Sequence, residues 1–201
     1  LLNFRAGQPG SDNFELLTIG ARAAGAFGNF DYELEIATQS GDDGFSPEAD
    51  FEGDAINAEL GYTFDANMQP RVFLGYAAFT GSDDADELGF QRLYSDWEYS
   101  EFLGDGDMSN VTILRAGVSA NVSEKIGLSL VVSSFELDEE TSGLGNGAVS
   151  VSGDDDELGT EIGLYMTYQY SEDVAVEVGA AQLMIGDAIE DAVTPYDEDP
   201  L

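Results

Sequence analysis

Three arginines and five glutamates fall at alternate positions of short segments that mix apolar and polar residues: Arg22, Arg71 and Arg115, with Glu33, Glu35, Glu59, Glu161 and Glu177. Charges spaced by two along a strand project to one face, so neighbouring strands of this kind line up guanidiniums and carboxylates on a common wall. If that wall borders water inside a barrel, its charges set which ions or sugars pass. The bland alternative is structural. Arg22 and Glu35 should lie nearly opposite each other across a turn at 28–29, and such a pair stabilises a hairpin without touching solute. One pair can do both.

Two further groups could carry chemistry. Asp42-Asp43, Asp83-Asp84 and Asp154-Asp155-Asp156 offer hard oxygen ligands of the kind calcium prefers. None has the spaced DxDxDG pattern followed by a bidentate Glu, so solvated, cation-bridged loops are expected and no metal site is assigned. Tyr94, Trp97 and Tyr99 share one long connection, where rings can stack on sugars, fold inward as a constriction or form the small core of an ordered loop. Loop packing is the expected role.

Composition removes most other chemistry. The chain has no Cys and no His, so thiol catalysis, disulfides, imidazole bases and nearly all transition-metal sites lose their central residue. A His-activated Ser is unavailable, and no Glu/Glu pair stands apart from the crowd as a glycosidase pair would. No enzyme and no cofactor are expected. With 41 acidic against 6 basic residues, a net charge of −35 rules against nucleic acid, which needs a basic patch. It suits a salty or cation-rich setting, such as lipopolysaccharide bridged by divalent cations. No apolar run approaches the roughly 20 residues of a membrane helix, but barrel strands are short and only half apolar.

The elements that position these charges are strands. Period-two segments fall at roughly 14–27, 30–40, 55–65, 70–80, 110–122, 125–137, 158–170 and 173–185. In "LGTEIGLYMTYQYSEDVAVEVGA", for example, one face takes Leu158, Ile162, Leu164, Met166 and Tyr168, then Val174, Val176 and Val178. The other takes Glu161, Tyr165, Thr167 and Glu177. Connections alternate in length: short turns at 28–29, 65–69, 123–125 and 171–173, and long acidic excursions near 41–54, 81–109, 138–157 and 186–201. All short turns at one end and all long loops at the other mark an up-and-down outer-membrane barrel, whereas a soluble sandwich has Greek-key crossings.

The apolar face carries aromatic residues at the short-turn ends, among them Phe27, Phe30, Tyr32, Tyr62, Phe64, Tyr168 and Tyr170, as an interfacial girdle would. The opposing Gly, Ser, Thr, Asn, Gln, Glu and Arg would make a poor core but an ordinary lumen wall. The expectation is therefore a single all-β domain over residues 1–201, an antiparallel up-and-down transmembrane β-barrel with about eight strands visible. With long loops outside, the first strand starts and the eighth ends on the extracellular side. The chain is then expected to be a segment of a larger barrel of roughly 16–18 strands, closed by further strands or a second chain. The alternatives are a secreted acidic β-sandwich binding calcium or carbohydrate, and a structural or adhesive surface barrel.

The succession "YELEIATQSGD", "AELGYTFDANMQPRVFLGYAAFTGSDD", "RLYSDWEYSEFLGDGDMSNVTILRAGVSANVSEKIGLSL" and "ELGTEIGLYMTYQYSEDVAVEVGAAQLMIGD" resembles the carboxy-terminal part of the alginate export family of outer-membrane porins, from about Tyr32 to Asp187. The loop "FQRLYSDWEYSEF" at Phe90 to Phe102 and the strand beginning at Glu157 are its most specific elements. The resemblance implies a bacterial outer-membrane channel for passive diffusion or export of hydrophilic solutes, an anionic polysaccharide such as alginate among them. Its expected partners are outer-membrane lipid, lipopolysaccharide with divalent cations, and the solute. Two features depart from the family: its terminal strand has no counterpart here, and its strongly basic constriction is replaced by a wall on which glutamates outnumber arginines.

Overall fold

Strands that alternate apolar and polar residues, joined in sequence by turns, satisfy their backbone groups most simply as a meander. A computed structural model of the chain describes residues 2–6, 14–44, 49–84, 86–92, 98–103, 108–140, 151 and 153–193, with side chains described from Phe14 to Glu190. The strands are β1 (Leu2–Ala6), β2 (Glu15–Phe27), β3 (Phe30–Asp42), β4 (Asp50–Thr63), β5 (Arg71–Phe79), β6 (Glu87–Leu88), β7 (Val111–Asn121), β8 (Ile126–Leu137), β9 (Glu157–Gln169) and β10 (Ala175–Ile185), followed by a short helix α1 (Asp187–Val193). They form one sheet in the order β1-β2-β3-β4-β5-β7-β8-β9-β10, each neighbour antiparallel, while β6 adds a short parallel pairing to β4. The long strands run 9 to 14 residues, enough to cross the hydrocarbon layer when tilted. The sheet is open, with β1 and β10 as its edges.

The expected eight segments are all present, and the register keeps one parity on one face across the sheet. Leu60 pairs with Leu74, Leu74 with Ala116, Val132 with Ile162, and Met166 with Val178. No second layer covers that face among the described residues. Leu74 is 69 % exposed, Val178 57 % and Leu164 55 %. Leaving such side chains in water forfeits about 1.5–3 kcal/mol each, so the face requires an apolar medium. A β-sandwich would bury this face against a partner sheet, and the described residues form no such sheet. At the short-turn end, Phe27, Phe30, Tyr62 and Phe64 form a continuous aromatic string, with ring centroids 5.4, 4.8 and 4.9 Å apart.

Several features differ from the period-two expectation. β4 begins at Asp50 and β3 runs to Asp42, so strand structure extends into the excursion expected at 41–54. The cause is the alternation within "DFEGD": Phe51 turns inward, 7 % exposed and 5.5 Å from the Phe14 ring, while Asp50, Glu52 and Asp54 face solvent. β1 and α1 were not foreseen; in α1, Ala188 and Ile189 are buried. Leu158 is fully buried on the inner side instead of sharing the outward face with Ile162 and Leu164. β8 pairs Phe135 with Gly159 and Glu136 with Glu157, leaving Leu158 as an extra residue, and Gly159 takes φ 131°. That bulge reverses the parity.

Among the described residues the buried core lies at the long-loop end. There the connection between β5 and β7 folds back onto the inner face, bringing Phe90, Tyr99, Leu103 and Met108 against Phe79, Ile113, Phe135 and Leu158.

Candidate pore-lining wall

The inner face carries the charges, and their placement follows from strand parity. Arg71, at the start of β5, stands between Thr63 of β4 and Ser119 of β7. Its guanidinium reaches across Gly61, where a Cβ would collide with it. The absence of that side chain lets Arg71 bond Asp31 of β3 through Nε (3.0 Å to Oδ2) and Nη2 (2.5 Å to Oδ1), and Glu59 through Nη2 (2.8 Å to Oε1). One cation is thus shared by two carboxylates in a bidentate arrangement that only arginine supplies.

Arg22 pairs in register with Glu35, as expected across the 28–29 turn, but its ion pair is diagonal, to Glu33 at 2.6 Å. The pair is wet: Arg22 is 54 % exposed, and such a bridge contributes at most about 1 kcal/mol. Glu35 and Glu177 are exposed on the same face and form no ion pair among the described residues; Glu177 accepts a hydrogen bond from Thr167 Oγ1 at 3.3 Å.

Arg115 lies opposite Gly75 and Ser133, half-buried among rings. Guanidiniums and aromatic faces alternate: Arg71 lies 5.3 Å from the Phe73 ring, Arg115 5.8 Å from Phe73 and 5.5 Å from Tyr99, and Arg92 4.9 Å from Tyr99 and 5.3 Å from Phe79. Each contact has cation–π geometry and strengthens with loss of solvent. Phe73 needs Gly117 opposite it, because a Cβ there would strike the ring.

Glu161 is not a bare wall charge. It is 4 % exposed, accepting bonds from Ser100 Oγ (2.5 Å) and from the Glu101 backbone N–H (3.1 and 3.2 Å). Ser100 Oγ in turn accepts from the N–H groups of Phe102 and Leu103 at 3.1 and 3.0 Å. Nearby, Tyr99 O–H donates to Asn57 Oδ1 at 3.2 Å. Gln39 and Gln91 exchange bonds: Gln39 Nε2 donates to the Gln91 carbonyl (2.7 Å), and Gln91 N–H donates to Gln39 Oε1 (2.6 Å). The loop is therefore anchored inward at three strands, β3, β4 and β9. Burial pushes the Tyr99 phenol up to about 12 against the opposing pull of Arg92 and Arg115, so it remains a neutral donor at ordinary pH. At the rim, Glu87 is raised above the usual carboxylate range, first by the charge of Glu52 and then by slight burial and its acidic neighbours Asp84, Asp83 and Asp50.

The wall thus brings together Arg22, Glu33, Glu35, Glu59, Arg71 and Arg115 on the inner face, with Glu161 beneath the folded loop and Glu177 on the far strand. Tyr99 packs within the loop; Tyr94 and Trp97 lie outside the described residues. Asp31 went unnamed in the sequence reading although it shares parity with Glu33. Arg92, Asn57 and Ser100 also escaped it, the first and last because a loop carries no periodic signal. Among the described residues no three His, Cys, Asp or Glu side chains gather to hold a metal ion. A family model described as alginate export matches residues 7–199. No curated protein matches the chain.

Proposed function

Because the chain belongs to the alginate export family, we propose that it builds part of the wall of a bacterial outer-membrane channel through which hydrophilic solutes pass by passive diffusion. The supporting observation is the single-layer sheet with chemically opposite faces, apolar and uncovered outside, charged and hydroxylated inside. Lipid meets the first face and water the second. The acidic rim then lies among lipopolysaccharide head groups, where divalent cations offset its charge. Small hydrophilic solutes are the cargo this wall fits best. A polyanion such as alginate needs guanidiniums turned to water, and those of Arg22 and Arg71 are engaged by Glu33, Asp31 and Glu59.

Planar-bilayer recording of the full-length protein, purified in detergent, tests the channel. Stepwise conductance is the expected result. A protein that inserts but never conducts would instead support a structural or adhesive barrel.

A further inference from the structure

We propose that this wall selects cations over anions, with Glu35 and Glu177 setting the sign and with Asp31, Glu59 and Glu33 neutralising the arginines beside them. The inference rests on the channel reading above and deepens it. Selectivity in a water-filled lumen follows the charge that the wall leaves uncompensated, focused by the low-dielectric surroundings. Arg71 faces two carboxylates, Asp31 and Glu59, so that cluster carries net negative charge. Arg22 and Glu33 cancel. Arg115 keeps its charge but is half-buried and held between the Phe73 and Tyr99 rings, so it is less open to the lumen than the exposed carboxylates. Glu161 lies under Ser100 and Glu101, away from the ion path. Of the strand charges on this wall, those left open to solvent are Glu35 on β3 and Glu177 on β10, both exposed and neither ion-paired among the described residues. The strand geometry explains why the arginines do not dominate: Gly61 opens the space that lets Arg71 lie flat across β4 instead of extending into the lumen.

Reversal potentials of the full-length channel in a KCl gradient at low salt provide the test. The wild type is expected to favour potassium over chloride. Glu35→Gln with Glu177→Gln should lower the permeability ratio by about twofold per carboxylate, the effect of a unit charge roughly 10 Å from the ion path at low ionic strength. Asp31→Asn with Glu59→Gln should release Arg71 and shift the ratio further toward chloride. Should that pair fail to fold, the exposed Glu35 and Glu177 variants still decide. Anion selectivity in the wild type, or an unchanged ratio in the Glu35/Glu177 variant, overturns the inference while leaving the channel intact. Absence of conductance overturns the channel reading and the inference with it.

Discussion

Replacing Glu161 by Ala should release the inward-folded segment 98–103 while leaving the strands in place. The carboxylate accepts one hydrogen bond from Ser100 Oγ and a bifurcated one from the Glu101 N–H. Ser100 is 6 % exposed, so truncation strands a buried hydroxyl and leaves the Glu101 amide without its acceptor. At about 1–3 kcal/mol for each unsatisfied group, offset in part by no longer desolvating a carboxylate, the docking of this segment should weaken by about 3 kcal/mol. A change of that size multiplies the undocked population by roughly 100-fold. Amide hydrogen exchange of the detergent-solubilised protein reads it directly: Glu101, Phe102 and Leu103 should exchange roughly 100-fold faster, while the β7 and β8 amides keep their protection. Glu161→Gln, which retains one acceptor oxygen, should fall between. Equal protection of Glu101 in the wild type and in Glu161→Ala would refute the idea that this carboxylate holds the loop.

Gly159→Ala should destabilise the β8–β9 bulge by about 1–3 kcal/mol, because φ 131° is costly with a side chain and its Cβ would strike the Met184 carbonyl; thermal unfolding in detergent measures it. Leu74→Arg on the outward face should cost about 2–4 kcal/mol on refolding into bilayers if the site lies near the midplane, whereas Thr167→Arg on the inner face, opposite Glu177, should be tolerated. Since Glu87 is raised in the folded protein, ionisation there opposes the β4–β6 pairing, which should tighten as pH falls through the Glu87 titration and loosen above it. Glu87→Gln should show, at neutral pH, the slower exchange of the Asp50 amide, which donates to the Asp86 carbonyl, that the wild type reaches only in acid.

The faces were legible in the sequence because alternation is a local property. Leu60, Leu74 and Leu164 fall on one side, and Glu33, Glu59 and Arg71 on the other, wherever a strand runs unbroken. Parity fails at a bulge, and Leu158 was misplaced because nothing local to "ELGTEI" distinguishes an extra residue from a regular one, although a glycine at its edge is the usual accomplice. Pair choice is finer than register: Arg22 sits opposite Glu35 yet bonds Glu33, since a long guanidinium reaches a diagonal neighbour as easily as a direct one. The inward fold of the loop was the least legible part. Its anchors, Gln39 to Gln91, Asn57 to Tyr99 and Glu161 to Ser100, join residues 42 to 61 positions apart, and no spacing rule connects them.

The central claim is that one face of the sheet meets lipid and the other water. The absence of cysteine makes single-cysteine spin labelling clean. Labels at Leu74, Leu114 and Leu164, interleaved with labels at Phe73, Ile113 and Thr167, can be placed in bilayer-reconstituted protein and their collision rates with oxygen and with a water-soluble nickel chelate compared. Oxygen accessibility should be high at the first three, while Thr167 should favour the nickel chelate and Phe73 and the buried Ile113 should show little oxygen. Equal nickel accessibility at Leu74, Leu114 and Leu164 and at Thr167 would contradict the account.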